Sequence, residues 1–86
     1  QDTKHLQEYV GRFEFENGME IALKIDEKEK SLYAQMQERK FPIFYVAEDN
    51  FLDISDYKIR FQRAENGTII GYYSSKHEGK LFKKLK

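Results

Sequence analysis

The chain has 86 residues, and its 15 basic and 15 acidic side chains give a formal net charge of zero with neutral histidines. This length fits a single domain, while zero net charge argues against general affinity for nucleic acid or for anionic membranes. Cysteine is absent and aromatic residues make up 15% of the chain, which excludes disulfides and thiol chemistry and argues against disorder.

An entry segment is expected at residues 1–8, followed by one β domain over residues 9–86. Asp2 or Thr3 is a candidate N-cap for a single helical turn at residues 6–8. Such a short turn is not stable alone. We therefore expect it to lie across one end of the fold.

Apolar and polar residues then alternate with a period of two, which predicts two half-buried strands joined by a tight turn. A two-residue loop at Asn17-Gly18 would place the apolar faces of the two strands on opposite sides of the sheet. A three-residue loop at Glu16-Asn17-Gly18 instead pairs Phe13 with Ile21 and brings the apolar faces together. We therefore predict this loop, with a type I turn followed by Gly18 in the left-handed conformation. The apolar positions are Tyr9, Phe13 and Phe15 in the first strand and Met19, Ile21, Leu23 and Ile25 in the second.

Further strands are expected at residues 32–36, 41–46 and 51–54. The charged tract at residues 26–30 is interpreted as a solvated turn, and Pro42 fits a strand start or an edge strand. Both faces of the 41–46 strand are apolar, so the sequence leaves open which face is buried.

The sequence Glu-Asn-Gly recurs at residues 65–67 and predicts a second hairpin with the same three-residue loop. Such a loop pairs Phe61 with Gly71 and Ile59 with Tyr73. Tyr73 is thereby predicted on the inner face of the sheet.

A final strand at about residues 80–85 follows a loop at residues 76–79. This loop pairs Tyr73 with Phe82 on the inner face. The opposite face then carries an apolar stripe, which must be covered by the entry segment around Leu6 or by another protein surface. The stripe consists of Ile70, Tyr72, Leu81 and Leu85.

The predicted architecture is all-β, with seven or eight short strands and a short N-terminal helical turn. No segment has the helical periodicity of a crossover connection, so the strands are expected to form a single antiparallel meander. Such a sheet avoids exposed edges by closing into a small up-and-down barrel or a flattened barrel, whose interior is filled by side chains or holds one small ligand. No apolar run approaches the roughly 20 residues of a membrane span. The predicted core consists of Phe13, Ile21, Leu23, Leu32, Ile59, Phe61 and Phe82.

An acidic stretch formed by Glu48, Asp49, Asn50, Asp53 and Asp56 has closely spaced carboxylates of the kind that calcium loops use. It lacks the glycine and the alternating spacing of an EF-hand loop. Turn chemistry around a short strand is therefore the preferred interpretation.

One loop brings a hydroxyl, an imidazole and a carboxylate together, through Ser74, Ser75, His77 and Glu78. Neighbouring loop residues cannot adopt triad geometry, because triad partners come from separate structural elements. His5 is distant in sequence, and two histidines without a third ligand argue against zinc. We therefore expect no catalytic residues, no metal, no cofactor and no enzyme activity.

The last strand is basic, since it carries Lys80, Lys83, Lys84 and Lys86. Basic side chains beside aromatic rings are typical of proteins that bind single-stranded nucleic acid. Lysine on a terminal strand more often prevents edge-to-edge aggregation. We prefer the second interpretation and expect no nucleic acid partner.

Spaced aromatic residues and a Tyr-x-Gly-aromatic start form a pattern over about residues 6–86. The pattern is Leu6-x-x-Tyr9-Val10-Gly11-x-Phe13, then Leu32, then Phe41-Pro42-Ile43-x-x-Val46-x-Glu48-Asp49-x-Phe51, and Phe61 six residues before Gly67. It resembles a small uncharacterised domain family that is commonly appended C-terminal to serine β-lactamase-like (penicillin-binding-protein-like) hydrolases, mostly in exported bacterial proteins. The resemblance implies a lipocalin-like barrel without catalytic residues of its own, in a periplasmic or secreted location. The chain opens with Gln1 rather than Met, which is consistent with removal of a signal peptide or with excision of a domain.

Two functions follow as expectations. The first is a non-catalytic accessory or interaction domain that docks on a hydrolase domain or another protein surface, with a filled interior and an apolar outer patch. The alternative is a free-standing lipocalin-like binder of a small apolar ligand, with a hollow interior that opens at one end.

If a ligand binds, inward-facing tyrosines are the expected contacts, because they join an apolar ring to a hydrogen-bonding tip. The competing interpretation is that these tyrosines fill the core and place their hydroxyls at the rim. The expected ligand-binding residues are Tyr9, Tyr57 and Tyr73, with Phe13, Phe61 and Met36 as the apolar wall.

Overall fold

Eight antiparallel strands follow one another around a nearly closed barrel, in a computed structural model that describes residues 3–85. Each strand pairs with its neighbours in sequence, which confirms the predicted all-β meander. The strands are β1 (Gly11–Glu14), β2 (Glu20–Asp26), β3 (Ser31–Met36), β4 (Arg39–Ala47), β5 (Asn50–Asp53), β6 (Lys58–Arg63), β7 (Ile69–Ser74) and β8 (Leu81–Lys83). Short 3-10 segments span Lys4–Tyr9, Glu16–Gly18 and Ser75–His77.

The barrel closes between its first and last strands. Phe13 forms a bridge with Lys84, and the Leu85 N–H donates to the Arg12 carbonyl oxygen at 2.7 Å. The barrel therefore closes through an isolated bridge at residues just after β8, while β8 itself pairs with β7. That the lysines of this strand prevent edge-to-edge aggregation stays a prediction. Lys86 lies outside the described residues.

The entry segment forms a 3-10 helix at Lys4–Tyr9 whose apolar side chains enter the barrel. Leu6 and Tyr9 are buried in the core, so the segment closes one end of the barrel, as predicted. Leu6 is thus inside the barrel, not over an outer stripe. Thr3 precedes the helix but makes no side-chain capping hydrogen bond, and Asp2 lies outside the described residues.

The first hairpin has the predicted register, with Phe13 opposite Ile21 and a hydrogen bond from Phe15 N–H to the Met19 carbonyl oxygen at 2.7 Å. The turn type differs from the prediction. Asn17 has φ 56° and Gly18 has φ 77°, and positive φ at both central residues is typical of a type I′ turn. Asparagine tolerates this conformation better than most side chains, so two residues of the loop are left-handed where one was predicted.

Gly18→Ala is expected to destabilise the protein by about 1 kcal/mol. An added Cβ would contact nothing within 4 Å, so the cost comes from the positive φ of an L-residue. Urea unfolding measures the change. Asn17→Gly serves as the control and should stay near the wild-type stability, because glycine adopts this φ readily. A Gly18→Ala protein as stable as the wild type would contradict the turn assignment.

The second hairpin has the predicted loop but a shifted register. The Gly67 N–H donates to Ala64 O at 2.9 Å, and Gly67 has φ 90°, as expected for a type I turn that ends in a left-handed glycine. The register then slips by one residue in β7, because Ile70 forms a bulge between two paired positions. Phe61 therefore faces Tyr72 and not Gly71.

The bulge at Ile70 also changes the inner face of the last hairpin. Tyr72 pairs with Phe82, and both side chains are buried in the core. Tyr73 pairs with Leu81 and is only half-buried. The predicted positions of Tyr72 and Tyr73 are thus exchanged, and Tyr72 does not belong to an outer stripe.

The register of β4 decides the face that the sequence left open. Ile43 pairs with Leu32 and Phe41 with Ala34, so Phe41 and Ile43 face the core. A register irregularity follows between Tyr45 and Ala47. The large hydrophobic side chains exposed on this strand are Phe44 (49%), Tyr45 (50%) and Val46 (58%).

All residues of the predicted core are buried in one cluster, which confirms that prediction. The cluster also contains residues that the alternation pattern did not single out for the core. These are Leu6, Tyr9, Ala34, Ile43, Phe51, Ile69 and Tyr72.

Candidate functional site

Aromatic rings fill the end of the barrel beneath the N-terminal 3-10 helix. The ring of Tyr9 lies 4.5 Å from that of Phe61 and 5.0 Å from that of Phe51, between centroids. Phe61 also lies 5.5 Å from Tyr72 and 6.1 Å from Phe13. These rings pack against one another in this half of the interior.

The opposite end of the barrel is hollow. A cavity of about 250 Å³ opens there, near the β5–β6 turn and the β7–β8 loop. Its floor and walls are apolar, and strands from around the barrel contribute to them. The apolar lining residues are Phe15, Ile21, Ala34, Met36, Phe41, Ile43, Ile54, Ile59, Tyr72 and Phe82.

The polar residues of the cavity come from two strand ends and the loops that follow them. Asp53 ends β5 and Ser55 lies in the β5–β6 turn, while Ser74 ends β7 and Lys76 and His77 lie in the β7–β8 loop. The combination of an apolar interior and a few polar groups at the opening is typical of small-molecule binding sites. The sequence analysis did not indicate that these residues converge.

Asp53 organises its own turn. Its carboxylate oxygen Oδ1 accepts the Ser55 N–H at 2.8 Å and the Tyr57 N–H at 3.0 Å. This is turn chemistry, as predicted for the acidic stretch. Within residues 3–85, no group of three His, Cys, Asp or Glu side chains is arranged to hold a metal ion.

The serine and histidine side chains of the β7–β8 loop have separate structural contacts. Ser74 Oγ accepts the Lys76 N–H at 3.2 Å, and Ser75 Oγ accepts the Lys58 N–H at 2.9 Å. The His77 ring instead packs edge-on against Phe15 and Phe82, with centroid distances of 6.1 and 5.7 Å. This geometry contains no Ser–His hydrogen bond of the kind that activates a nucleophile.

The predicted ligand-binding residues do not form one site. Tyr9, Phe13 and Phe61 are buried in the filled half of the barrel, where the tyrosine and phenylalanine rings complete the core. Met36 is half-buried and lines the cavity.

The other two predicted tyrosines lie away from the cavity wall. Tyr57 is exposed, with Lys76 Nζ 5.9 Å from its ring centroid. Tyr73 is turned to the outside by the β7 bulge, where the guanidinium carbon of Arg60 lies 4.9 Å from its ring centroid. Neither residue is among those that line the cavity.

A second polar cluster, which we call the clasp, joins the N-terminal helix to the barrel through Glu8, Tyr9, Asp49 and Arg63. The Tyr9 hydroxyl donates to Asp49 Oδ1 at 2.8 Å and accepts the Asp49 N–H at 2.9 Å. Arg63 Nε donates to Asp49 Oδ2 at 2.9 Å, and Arg63 Nη1 donates to Glu8 Oε1 at 2.8 Å. The sequence contained these residues without any spacing that would predict their contact.

The contacts of the clasp shift the pKa values of its members. Hydrogen bonds from Arg63 lower the pKa of Asp49 and of Glu8. Burial, together with the hydrogen bond to Asp49, raises the pKa of Tyr9 to about 12. Near neutral pH the clasp therefore holds a neutral tyrosine, two carboxylates and a guanidinium. Its hydrogen bonds connect the N-terminal helix to the β4–β5 turn and to β6 at the closed end of the barrel.

Comparisons of this chain with protein-family models, with curated proteins and with solved structures return no match. The resemblance to the domain appended to β-lactamase-like hydrolases therefore stays a prediction. The helical segments at residues 3–85 are too short and too polar to cross a membrane.

Proposed function

We propose that this barrel is a non-catalytic domain that binds a small, mostly apolar ligand in the cavity at its open end. The observation that carries the proposal is the uneven filling of the interior. Aromatic rings fill one half, whereas the other half has a cavity of about 250 Å³ with apolar walls. Apolar surface that is left uncovered in a cleft favours an apolar occupant.

The volume limits the size of the ligand. A water-sized group occupies roughly 30 Å³, so about eight such groups fill a cavity of about 250 Å³. An eight-carbon chain therefore matches the available space. At about 0.6 kcal/mol for each of its roughly nine non-hydrogen atoms, 1-octanol would bind with a dissociation constant on the order of 0.1 mM.

Filling the cavity tests the proposal. Octanol at about ten times its dissociation constant should add ~1.4 kcal/mol of stability and raise the melting temperature of the wild type by about 5–10 °C. Ala34→Leu places three more carbon atoms in the cavity wall and should abolish most of this rise. Differential scanning fluorimetry measures both proteins with and without octanol.

Ala47→Leu is the matched control, because Ala47 is exposed at the end of β4 and does not line the cavity. It should keep the octanol response of the wild type. If octanol has no effect on the wild type, or stabilises Ala34→Leu equally, the cavity is not a binding site.

A second proposal, the accessory domain, is supported by the outer surface of β4 and β5. Phe44 and Val46 are exposed there, and Phe44 pairs with the half-buried Leu52. Exposed apolar side chains that are grouped on one face favour contact with another protein. Docking through this surface does not involve the cavity, so the octanol experiment tests the first proposal alone.

A further inference from the structure

We infer that the ligand carries a carboxylate head, which Lys76 recognises at the opening of the cavity. This inference rests on the proposed function, since it concerns the same cavity. The apolar wall selects the tail of the ligand but does not specify its head. The head is specified by the charged side chains among the lining residues, which are Asp53 and Lys76.

Lys76 provides the cationic group of the opening. Its Nζ lies 5.9 Å from the ring centroid of Tyr57, and among the described residues no carboxylate lies within 4.0 Å of it. An ammonium group without an ionic partner at an apolar cavity attracts an anion. The backbone N–H of Lys76 donates a hydrogen bond to Ser74 Oγ at 3.2 Å. This hydrogen bond restrains the loop that carries the Lys76 side chain.

The carboxylate of Asp53 already has hydrogen-bond partners, unlike the ammonium of Lys76. Its Oδ1 accepts two backbone N–H groups, from Ser55 and Tyr57. These hydrogen bonds stabilise the carboxylate within its own turn. Lys76, by contrast, has no carboxylate partner among the described residues, so its ammonium is the charge that we assign to the head of the ligand.

Two further groups of the β7–β8 loop can complete the recognition of a carboxylate. The buried Ser74 hydroxyl already accepts a hydrogen bond, so its own hydrogen can be donated to a ligand oxygen. The half-buried His77 ring is held by Phe15 and Phe82 in the wall. Octanoate combines this head with the tail length that the cavity volume indicates.

Three ligands with one tail and different heads test the inference. Octanoate, 1-octanol and octylamine are titrated into the full chain near neutral pH by isothermal calorimetry. We expect octanoate to bind about five- to tenfold more tightly than octanol, and octylamine more weakly than octanol. Lys76→Gln should reduce octanoate affinity to that of octanol without changing octanol affinity, whereas Lys76→Arg should keep the preference for octanoate.

Lys83→Gln is the matched control, because Lys83 is exposed on β8 and does not line the cavity. It should retain the wild-type preference. Equal binding of all three ligands would overturn the inference while leaving the proposed apolar site intact. Tightest binding of octylamine, lost on Asp53→Asn, would also overturn it. Failure of every ligand to bind the wild type would refute the proposed function itself.

Discussion

Phe61→Ala is expected to cost about 3–5 kcal/mol of unfolding free energy, the largest effect of any single change considered. Phe61 is 3% exposed and its ring is in contact with those of Tyr9, Phe51 and Tyr72. Removing the ring deletes buried apolar area and leaves a void that a closed barrel cannot collapse to fill. A small domain with a stability of roughly 5 kcal/mol would be close to unfolding.

Urea denaturation followed by circular dichroism measures this loss. Phe44→Ala is the matched control, because the same ring is removed from a position that is 49% exposed. Its cost should stay below about 1 kcal/mol, since surface substitutions without buried contacts have small effects. Similar losses in the two variants would show that Phe61 is not at the centre of the core.

Asp49→Asn is expected to destabilise the protein by about 2 kcal/mol near neutral pH. The Asp49 side chain is 22% exposed and accepts hydrogen bonds from Arg63 and Tyr9. The amide keeps the size of the side chain but removes the charge that pairs with Arg63. Arg63, also 22% exposed, then lies half-buried without its main ionic partner.

The unfolding free energy lost in Asp49→Asn should become smaller as the pH falls. Arg63 holds the pKa of Asp49 below its usual value in the folded protein, whereas an unfolded aspartate titrates near 3.9. The carboxylate therefore contributes stability above about pH 4, and this contribution is lost as the pH falls through the lower folded pKa. The difference between the wild type and Asp49→Asn should accordingly shrink between neutral pH and about pH 2.

Urea unfolding at several pH values follows this difference. Glu20→Gln changes a carboxylate to an amide in the exposed pair with Arg12, where the glutamate side chain is 46% exposed. It should cost less than about 0.5 kcal/mol, because solvent screens exposed ion pairs. A stabilising role for the clasp would be contradicted if Asp49→Asn loses as little unfolding free energy as Glu20→Gln. It would also be contradicted if the loss in Asp49→Asn does not change with pH.

Local patterns of the sequence predicted the meander and much of the core. Apolar and polar residues that alternate with a period of two define an inner and an outer face of the sheet. The tight turns join strands that can pair only as antiparallel neighbours. The first hairpin register followed from face matching alone, because a shift by one residue would have exposed Phe13 or Ile21. The loop at residues 65–67 was predicted for the same reason, although the pairing beyond it was not.

The bulge at Ile70 is a feature that local sequence patterns did not predict. An alternating strand would place Ile69 and Tyr72 on opposite faces, whereas the extra residue brings both into the core. Gly71 also allows β8 to approach, since a Cβ there would lie 2.6 Å from the Phe82 carbonyl oxygen. These contacts arise only when β6, β7 and β8 pack together. For this reason, the prediction from the sequence alone assigned Tyr72 and Tyr73 to the wrong faces of the sheet.

The sequence by itself determined the class of fold, since the period of alternation and the turn residues act between neighbours along the chain. Only the tertiary structure decided where the interior is filled and where it is hollow. The clasp joins Tyr9 to Asp49, and the cavity joins the turn of Asp53 to the loop of Lys76. Such distant contacts depend on closure of the whole barrel, and no local spacing encodes them.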